Sequence, residues 1–174
     1  IYTSGSTGAP KGVMISHRAL AQHMQSIQSA FAMDRSDQVL QFASLSFDVA
    51  IEEILPTLFA GAELVLRNEA IVESMAAFFE SVDEFSLTVL NLPTAFWTAL
   101  VEHMASTGAK LPSSVRLVVV GGEAISRTVL DRFLAMAPGI RCLNGYGPTE
   151  VTITSTLFDT AKLAEMNPGD DVPI

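Results

Sequence analysis

Short apolar runs rich in β-branched residues alternate with longer segments of helical period along this chain. This alternation constrains the fold most, because it is typical of α/β proteins in which helices cover a sheet. The sequence predicts six strands, at 39–43, 63–66, 87–91, 117–120, 141–144 and 152–157. It predicts five helices, at 17–31 with Ser16 as N-cap, 48–59, 71–82, 93–105 and 126–136.

Composition excludes several classes of protein. The chain has 174 residues, which suits one domain, and with 49% hydrophobic and 17% charged residues it is not globally disordered. Its 10 basic and 19 acidic residues give a net charge of −9, which argues against a nucleic-acid or anionic-membrane partner. No apolar stretch approaches the roughly 18 residues of a membrane span. One cysteine, Cys142, excludes an internal disulfide and favours a reducing compartment, so we expect a cytoplasmic protein.

The two ends of the chain do not resemble natural domain boundaries. It begins at Ile1 rather than methionine and stops at Ile174, shortly after two adjacent aspartates. We therefore expect an internal fragment of a longer protein.

The opening segment combines glycines, hydroxyls and a lysine, running from Tyr2 through Thr3-Ser4-Gly5-Ser6-Thr7-Gly8 to Pro10-Lys11-Gly12. Glycines let the backbone approach a ligand, while hydroxyls, N–H groups and a lysine suit phosphate oxygens. The segment is neither a Walker loop nor a serine-hydrolase elbow, because it lacks both spacings. The two remaining interpretations are a phosphate cradle and a flexible surface turn.

A second segment, Asn144-Gly145-Tyr146-Gly147-Pro148-Thr149-Glu150, places an aromatic ring before a turn and a Thr-Glu pair. Tyr146 offers a face for stacking on a base. The Thr149 hydroxyl and Glu150 carboxylate suit a phosphate and its Mg²⁺. Alternatively, the segment is a strand followed by an ordinary turn with a solvated glutamate.

Together these segments resemble the phosphate-binding loop and the Tyr-Gly-Pro-Thr-Glu motif of the adenylate-forming superfamily. That superfamily contains acyl-CoA synthetases, luciferases and the adenylation domains of nonribosomal peptide synthetases. The resemblance implies an α/β fold with strands alternating with helices in layered sheets. Residues 1–174 would be part of the large N-terminal subdomain of an adenylation (AMP-binding) domain, truncated at both ends and without the C-terminal subdomain.

The resemblance also implies roles for individual residues. ATP would be bound by Thr3, Ser4, Gly5, Ser6, Thr7, Gly8, Lys11, Gly122, Glu123, Ala124, Asn144, Tyr146 and Thr149. Lys11, Thr149 and Glu150 would be catalytic, with Glu150 binding Mg²⁺. Gly122, Glu123 and Ala124 follow the apolar run 117–120, and a purely structural turn between strand and helix explains them equally well.

A third feature is the segment 45–53, in which Phe47-Asp48 resembles a motif of the amino-acid-activating members. From the pattern alone, Asp48 is a good helix N-cap that needs no ligand. The resemblance implies instead that its carboxylate binds the α-amino group of an amino acid. Fatty-acid-activating relatives generally lack this aspartate.

By the same resemblance, the substrate pocket comprises Asp48, Val49, Glu52, Asn91, Val119, Gly121, Gly145, Ile153 and Thr154. On a helix, Glu52 lies one turn after Asp48 and on the same face. An unpaired buried carboxylate is costly, so we expect Glu52 either to meet a cationic substrate or to reach water. The first possibility predicts a basic substrate of ornithine type. The three histidines have no metal-ligand spacing, and for His23 we expect a surface position.

The implied reaction joins an amino-acid carboxylate to the α-phosphate of ATP and releases pyrophosphate. The aminoacyl group then passes to the phosphopantetheine thiol of a peptidyl carrier domain, with a condensation domain as a further partner. We expect the isolated chain to be inactive. The alternatives are an acyl-CoA or aryl-acid ligase of the same superfamily and a non-catalytic nucleotide-binding module.

Overall fold

The computed structural model describes residues 1–3, 8–167 and 171–174. Within these residues the strands are β1 (Tyr2–Thr3), β2 (Lys11–Gly12), β3 (Gln38–Gln41), β4 (Glu63–Leu66), β5 (Val89–Pro93), β6 (Leu117–Gly121), β7 (Arg141–Tyr146) and β8 (Thr156–Asp159). The helices are α1 (His17–Phe31), α2 (Val49–Ala60), α3 (Ala70–Glu73), α4 (Met75–Glu84), α5 (Thr94–Thr107) and α6 (Arg127–Met136). Two 3-10 turns span Thr149–Val151 and Thr160–Glu165.

Six of these strands form one sheet in the order β4-β3-β5-β6-β7-β8. The first five are parallel, and β8 returns antiparallel to β7. The short strands β1 and β2 pair with each other in a separate antiparallel hairpin. The α/β prediction is therefore confirmed.

The sheet buries both of its faces. Alternate residues of β6 enter two different hydrophobic clusters, with Val118 and Val120 in one and Leu117 and Val119 in the other. The first cluster contains apolar side chains of α4, α5 and α6, and the second contains Ile27 and Phe31 of α1. Helices on both faces explain why the central strands are continuous apolar runs.

Two helices begin and end as local signals predict. Ser16 caps α1, because its hydroxyl accepts a hydrogen bond from the Ala19 N–H at 3.2 Å. Helix α2 ends at Ala60, and the next residue, Gly61, has a φ of 71°, a left-handed conformation that glycine adopts without strain.

Two predicted elements are wrong in detail. The predicted helix at 71–82 is two helices, because Ser74 is extended (φ −153°, ψ 156°) and its hydroxyl caps α4 by accepting from the Ala77 N–H. The predicted strand at 152–157 begins only at Thr156, because Thr152 and Ile153 have left-handed φ values of 70° and 72°. Such backbone does not continue a strand.

An ion pair ties the amino-terminal edge of the sheet together. Arg116, just before β6, donates from Nε and Nη2 to the two carboxylate oxygens of Asp37 at 2.7 and 2.6 Å. Its Nη1 also donates to the Phe31 carbonyl at the end of α1, at 2.9 Å. Burial raises the pKa of Asp37, but hydrogen bonds from Arg116, Thr88 and the Asp34 N–H outweigh burial and hold that pKa below its ordinary value.

None of the helices within the described part of the chain combines the length and apolar character that crossing a bilayer requires.

Candidate functional site

The predicted site residues converge at the carboxyl edge of the sheet. The segment with Asp48 follows β3, the glycine turn follows β6, and the Tyr-Gly-Pro-Thr-Glu segment begins at the end of β7. Asn91 lies in the middle of β5. Parallel strands bring their carboxyl ends to one edge, where ligands bind in open α/β sheets. Segments as far apart in sequence as Asp48 and Thr149 therefore meet.

A cleft of about 550 Å³ opens at this edge. Three predicted site residues line it, namely Asp48, Thr149 and Ile153. The remaining wall consists mainly of apolar residues from the opening segment, α1 and α2, among them Ile1, Val13, Leu20 and Ile51. A mostly apolar cleft with a few polar groups has the character of a small-molecule site.

Asp48 occupies the N-cap position of α2 without capping it. Its backbone is helical (φ −67°, ψ −29°), and its carboxylate makes no capping hydrogen bond. An N-cap aspartate normally has an extended backbone and accepts from an N–H of the first turn. The capping interpretation is therefore not supported, and the half-buried carboxylate instead borders the cleft.

The Tyr-Gly-Pro-Thr-Glu segment forms a compact loop. The Tyr146 carbonyl accepts from the Ser155 N–H at 2.9 Å, which closes the loop between β7 and β8. A Cβ on Gly147 would lie 2.0 Å from the Ile153 carbonyl oxygen, so this position requires glycine. The loop leaves Tyr146 50% exposed and places Thr149 on the cleft.

The turn after β6 is held by α5. The Thr94 hydroxyl lies 3.1 Å from the Gly121 carbonyl and 3.0 Å from the Glu123 carbonyl. Gly122 has a φ of 93°, and residues 122–124 are exposed to solvent. The backbone of this turn is thus exposed to a ligand and is positioned by Thr94. This arrangement is compatible with a purely structural turn and with a turn that binds adenine.

The opening segment is a hairpin in which Thr3 of β1 pairs with Lys11 of β2. Gly8 has a left-handed φ of 82°, and Gly8 and Lys11 are both exposed. Ser4, Gly5, Ser6 and Thr7 lie outside the described residues, so their predicted contacts with phosphate stay predictions.

Glu52 is buried, at 3% exposure, and it neither reaches water nor lines the cleft. His23 Nε2 lies 2.8 Å from Glu52 Oε2, and Asn91 Nδ2 and Thr154 Oγ1 donate to Glu52 Oε1 at 3.4 and 3.3 Å. Of the two outcomes expected for Glu52, contact with water is wrong, because its carboxylate has partners inside the protein. Contact with a cationic substrate stays a prediction. The surface position expected for His23 is also wrong, because its side chain is 9% exposed.

Gly145 lies between two other predicted pocket residues, because a Cβ on it would be 3.6 Å from the Thr154 methyl carbon and 3.8 Å from a Val119 methyl carbon. Val119 and Gly145 belong to neighbouring strands on the face of the sheet that α1 covers, and Val49 is the first residue of α2. Asn144 lies deeper, at 1% exposure, and its Nδ2 donates to the Pro173 carbonyl at 2.7 Å. Its predicted contact with nucleotide stays a prediction.

Glu53 is a second buried carboxylate on α2. Both of its oxygens lie 3.1 Å from the Ala43 N–H, and Gln41 Nε2 donates to it at 3.2 Å. Burial raises the pKa of Glu53 to about 7, although the hydrogen bonds from Ala43, Gln41 and Phe42 oppose that shift. This carboxylate anchors the segment that leads from β3 to Asp48.

No group of three or more His, Cys, Asp or Glu side chains within the described ranges is arranged to hold a metal ion. Glu150 is an exposed, single carboxylate beside Thr149. One carboxylate with phosphate oxygens is a normal environment for Mg²⁺, which keeps several waters and rarely uses an all-protein cage. The residues present therefore fit a Mg²⁺ ion that arrives with a nucleotide.

Sequence reasoning did not identify His23, Thr94 or Glu53 as site residues. Glu53 carried a signal, because it follows Glu52 in an otherwise apolar helix. His23 and Thr94 carried none, since their partners are 29 and 27 or more residues away in the chain.

The chain is similar to known proteins in both sequence and structure. The chain matches the AMP-binding enzyme family over residues 1–173. It is 43% identical to an isonitrile lipopeptide synthase of Streptomyces coeruleorubidus, over 100% of this chain and 12% of that protein. The chain thus spans only a small part of that relative's length.

Solved structures show the same fold. The N-terminal subdomain of Klebsiella oxytoca NpsA, in complex with 3-hydroxybenzoyl-AMSN, aligns with a TM-score of 0.83 at 27% identity, over 99% of this chain and 42% of that one. The nonribosomal peptide synthetase FmoA3 in its α-methyl-L-serine-AMP-bound form aligns with a TM-score of 0.83 at 27% identity, over 99% and 19%.

Proposed function

The chain belongs to the AMP-binding enzyme family, and on that premise we propose that it is the part of an adenylation domain that activates an amino acid with ATP. The observation that carries this proposal is the position of Asp48. Its carboxylate makes no cap hydrogen bond and borders the same cleft as Thr149. The cleft thus joins a carboxylate suited to an ammonium group with a hydroxyl suited to a phosphate.

In the proposed reaction, a substrate carboxylate oxygen attacks the α-phosphorus of ATP. An oxygen–phosphorus bond forms, the bond between the α-phosphorus and the bridging oxygen breaks, and pyrophosphate leaves with the electron pair. The attacking carboxylate is already ionised near neutral pH, so no side chain needs to act as a general base. Catalysis then consists of positioning and charge neutralisation.

The roles of the residues follow from this chemistry. Thr149 donates to the α-phosphate. Lys11 neutralises charge on the β- and γ-phosphates, and the Ser4 and Thr7 hydroxyls donate to the same phosphates. Tyr146, which is half-exposed, stacks on adenine, and the exposed backbone of Gly122, Glu123 and Ala124 also contacts the base. When bound, Mg²⁺ supplies positive charge to the phosphates, with Glu150 as its protein ligand.

The proposal extends to the fate of the product. The aminoacyl group passes to a phosphopantetheine thiol on a peptidyl carrier domain, and a condensation domain then uses it. The similarity to an isonitrile lipopeptide synthase supports a place of this kind within a synthetase. As substrate we propose an amino acid with a basic side chain of ornithine type, supported by Glu52 and Asn91 immediately behind the cleft wall.

An aryl-acid substrate is the second candidate. The structural neighbour NpsA was solved with a 3-hydroxybenzoyl compound, which has no α-amino group. Asp48 separates the two candidates, since an aryl acid offers it no ammonium partner.

The test is pyrophosphate exchange with a panel of amino acids and aryl acids, in a protein that carries the whole adenylation domain. We expect exchange with an amino acid and a loss of about 100-fold in kcat/KM for Asp48→Asn, because a charge-assisted hydrogen bond is lost. The exposed-residue control Asp83→Asn should leave exchange unchanged. Exchange driven by an aryl acid and insensitive to Asp48→Asn would overturn the proposal.

A further inference from the structure

Glu52 is held from three directions by parts of the chain that are distant in sequence. His23 comes from α1, Asn91 from β5, and Thr154 from the loop before β8. The Glu52 side chain is 1% exposed and the His23 side chain 9%. The carboxylate is thus satisfied inside the protein before any ligand binds.

The three contacts are unequal. His23 Nε2 lies 2.8 Å from Glu52 Oε2, a normal distance for an imidazole N–H donating to a carboxylate. The Asn91 and Thr154 contacts, at 3.4 and 3.3 Å, are near the outer limit for hydrogen bonds. Both of these longer contacts are made to Oε1. Among the described residues, only His23 therefore contacts Oε2.

This network lies directly behind the cleft. Glu52 is one turn after Asp48 and adjacent to Ile51, and Thr154 follows Ile153. Asp48, Ile51 and Ile153 all line the cleft. A substrate whose ammonium group meets Asp48 would therefore lie beside Ile51 and Ile153, the cleft residues adjacent in sequence to Glu52 and Thr154.

We propose that His23 is a positioning residue that sets how strongly the pocket selects a cationic side chain. Its imidazole holds the Glu52 carboxylate towards α1 and behind the cleft wall, so a substrate cation can pair with Glu52 only when this contact is broken. The proposal rests on the proposed amino-acid activation, and it deepens that function by assigning selectivity to a residue that does not line the cleft. His23 acts through Glu52 and touches no substrate.

The test compares ornithine with norvaline, which differ only in the terminal amino group. In a protein with the whole adenylation domain, kcat/KM is measured for both by pyrophosphate exchange. Removing the imidazole by His23→Ala frees Oε2. We therefore expect the ratio of kcat/KM for ornithine to kcat/KM for norvaline to rise about tenfold, through a lower KM for ornithine rather than a change in kcat. His23→Gln retains a donor and should raise the ratio less.

Controls separate selectivity from general damage. His103→Ala, on α5, should leave the ratio unchanged. In the background of Glu52→Gln, His23→Ala should have no effect on the ratio, because the residue through which it acts is gone. If His23→Ala does not fold, His23→Gln in the two backgrounds makes the same comparison.

Different results would contradict the role of His23 and the proposed amino-acid activation. If exchange proceeds and the ratio stays constant or falls in the His23 variants, His23 does not compete for Glu52 and the inference is overturned. If the unmodified protein supports no exchange with any amino acid, the proposed function fails first.

Discussion

Gly121 and Gly145 are register partners in neighbouring strands, but a side chain would affect them differently. A Cβ on Gly121 would lie 2.7 Å from the Gly145 carbonyl oxygen, which is backbone and cannot rotate away. A Cβ on Gly145 would have its nearest contact at 3.5 Å, with a Leu157 methyl carbon. Close approach of the two backbones therefore requires glycine only at position 121.

We expect Gly121→Ala to lower the free energy of unfolding by about 2 kcal/mol, as overpacking does in other cores. Gly145→Ala is the matched control and should cost less than about 1 kcal/mol. Denaturant unfolding of both variants measures the difference. Equal losses at the two positions would contradict the backbone explanation.

Individual residues differ in how well they could be predicted. Asp48 could be placed at the start of a helix because capping is local, and the structure corrected only what its carboxylate does there. Glu52 could be placed on the same helical face. Its partner His23 could not, because no local rule joins residues of different helices 29 positions apart.

At the scale of elements, Glu53 joins α2 to the end of β3. Its carboxylate accepts from the Ala43 N–H and from Gln41 Nε2, and Gln41 Nε2 also donates to the Ala43 carbonyl. These bonds fix the start of the exposed segment 44–47 that leads to Asp48. The orientation of α2 relative to its sheet thus depends on a buried acid.

This arrangement predicts a pH dependence. With a pKa of about 7 in the folded chain against 4.5 ordinarily, Glu53 keeps a proton in the folded state that the unfolded chain releases. Stability should therefore fall as pH rises from 4.5 to 7, by about 3 kcal/mol from this group. Urea unfolding at pH 5 and pH 8 should show this loss in the unmodified chain and a smaller one in Glu53→Gln.

The control for that experiment is Glu102→Gln, which alters an exposed glutamate of α5. It should retain the pH dependence of the unmodified chain. A Glu53→Gln protein with the same dependence would show that another group titrates.

Element boundaries were predictable where local chemistry determines them. The helix His17–Phe31 and the strand Glu63–Leu66 match their predictions. Ser74 carried a capping signal inside the predicted helix at 71–82, and the apolar period on either side concealed it. The late start of β8 was not predictable, because the left-handed Thr152 and Ile153 belong to a loop closed by Tyr146 and Ser155.

For the whole molecule, the ion pair between Arg116 and Asp37 joins four elements at the amino edge of the sheet. It links the end of α1 with the starts of β3 and β6, and Thr88, just before β5, donates to Asp37 at 2.7 Å. The Asp37 side chain is 3% exposed and that of Arg116 is 37% exposed. Removing the guanidinium would leave a buried carboxylate without its cation.

We expect Arg116→Met to cost about 2 kcal/mol of unfolding free energy, less than a fully buried pair because water screens the guanidinium. Asp131→Asn, which removes an exposed i,i+4 pair on α6, should cost less than about 0.5 kcal/mol. Thermal and urea unfolding measure both variants. A loss for Arg116→Met no larger than that of the control would show that the Arg116–Asp37 ion pair does not stabilise the four elements that it joins.

The layer architecture was the most predictable property of the molecule. Alternating apolar strands and amphipathic helices leave few arrangements other than a covered sheet, and the structure has that form. The antiparallel return of β8 and the separation of the hairpin β1–β2 were not predictable, since pairing direction depends on contacts between distant segments.

The two edges of the sheet also differ in how freely their residues can change during evolution. The Arg116–Asp37 tie lies at the amino edge, whereas Asp48, Thr149 and Ile153 lie on loops at the carboxyl edge. Substitutions in those loops leave the tie and both hydrophobic clusters intact. A lineage could therefore exchange one substrate for another through a few loop mutations, while inheriting the stability of the scaffold unchanged.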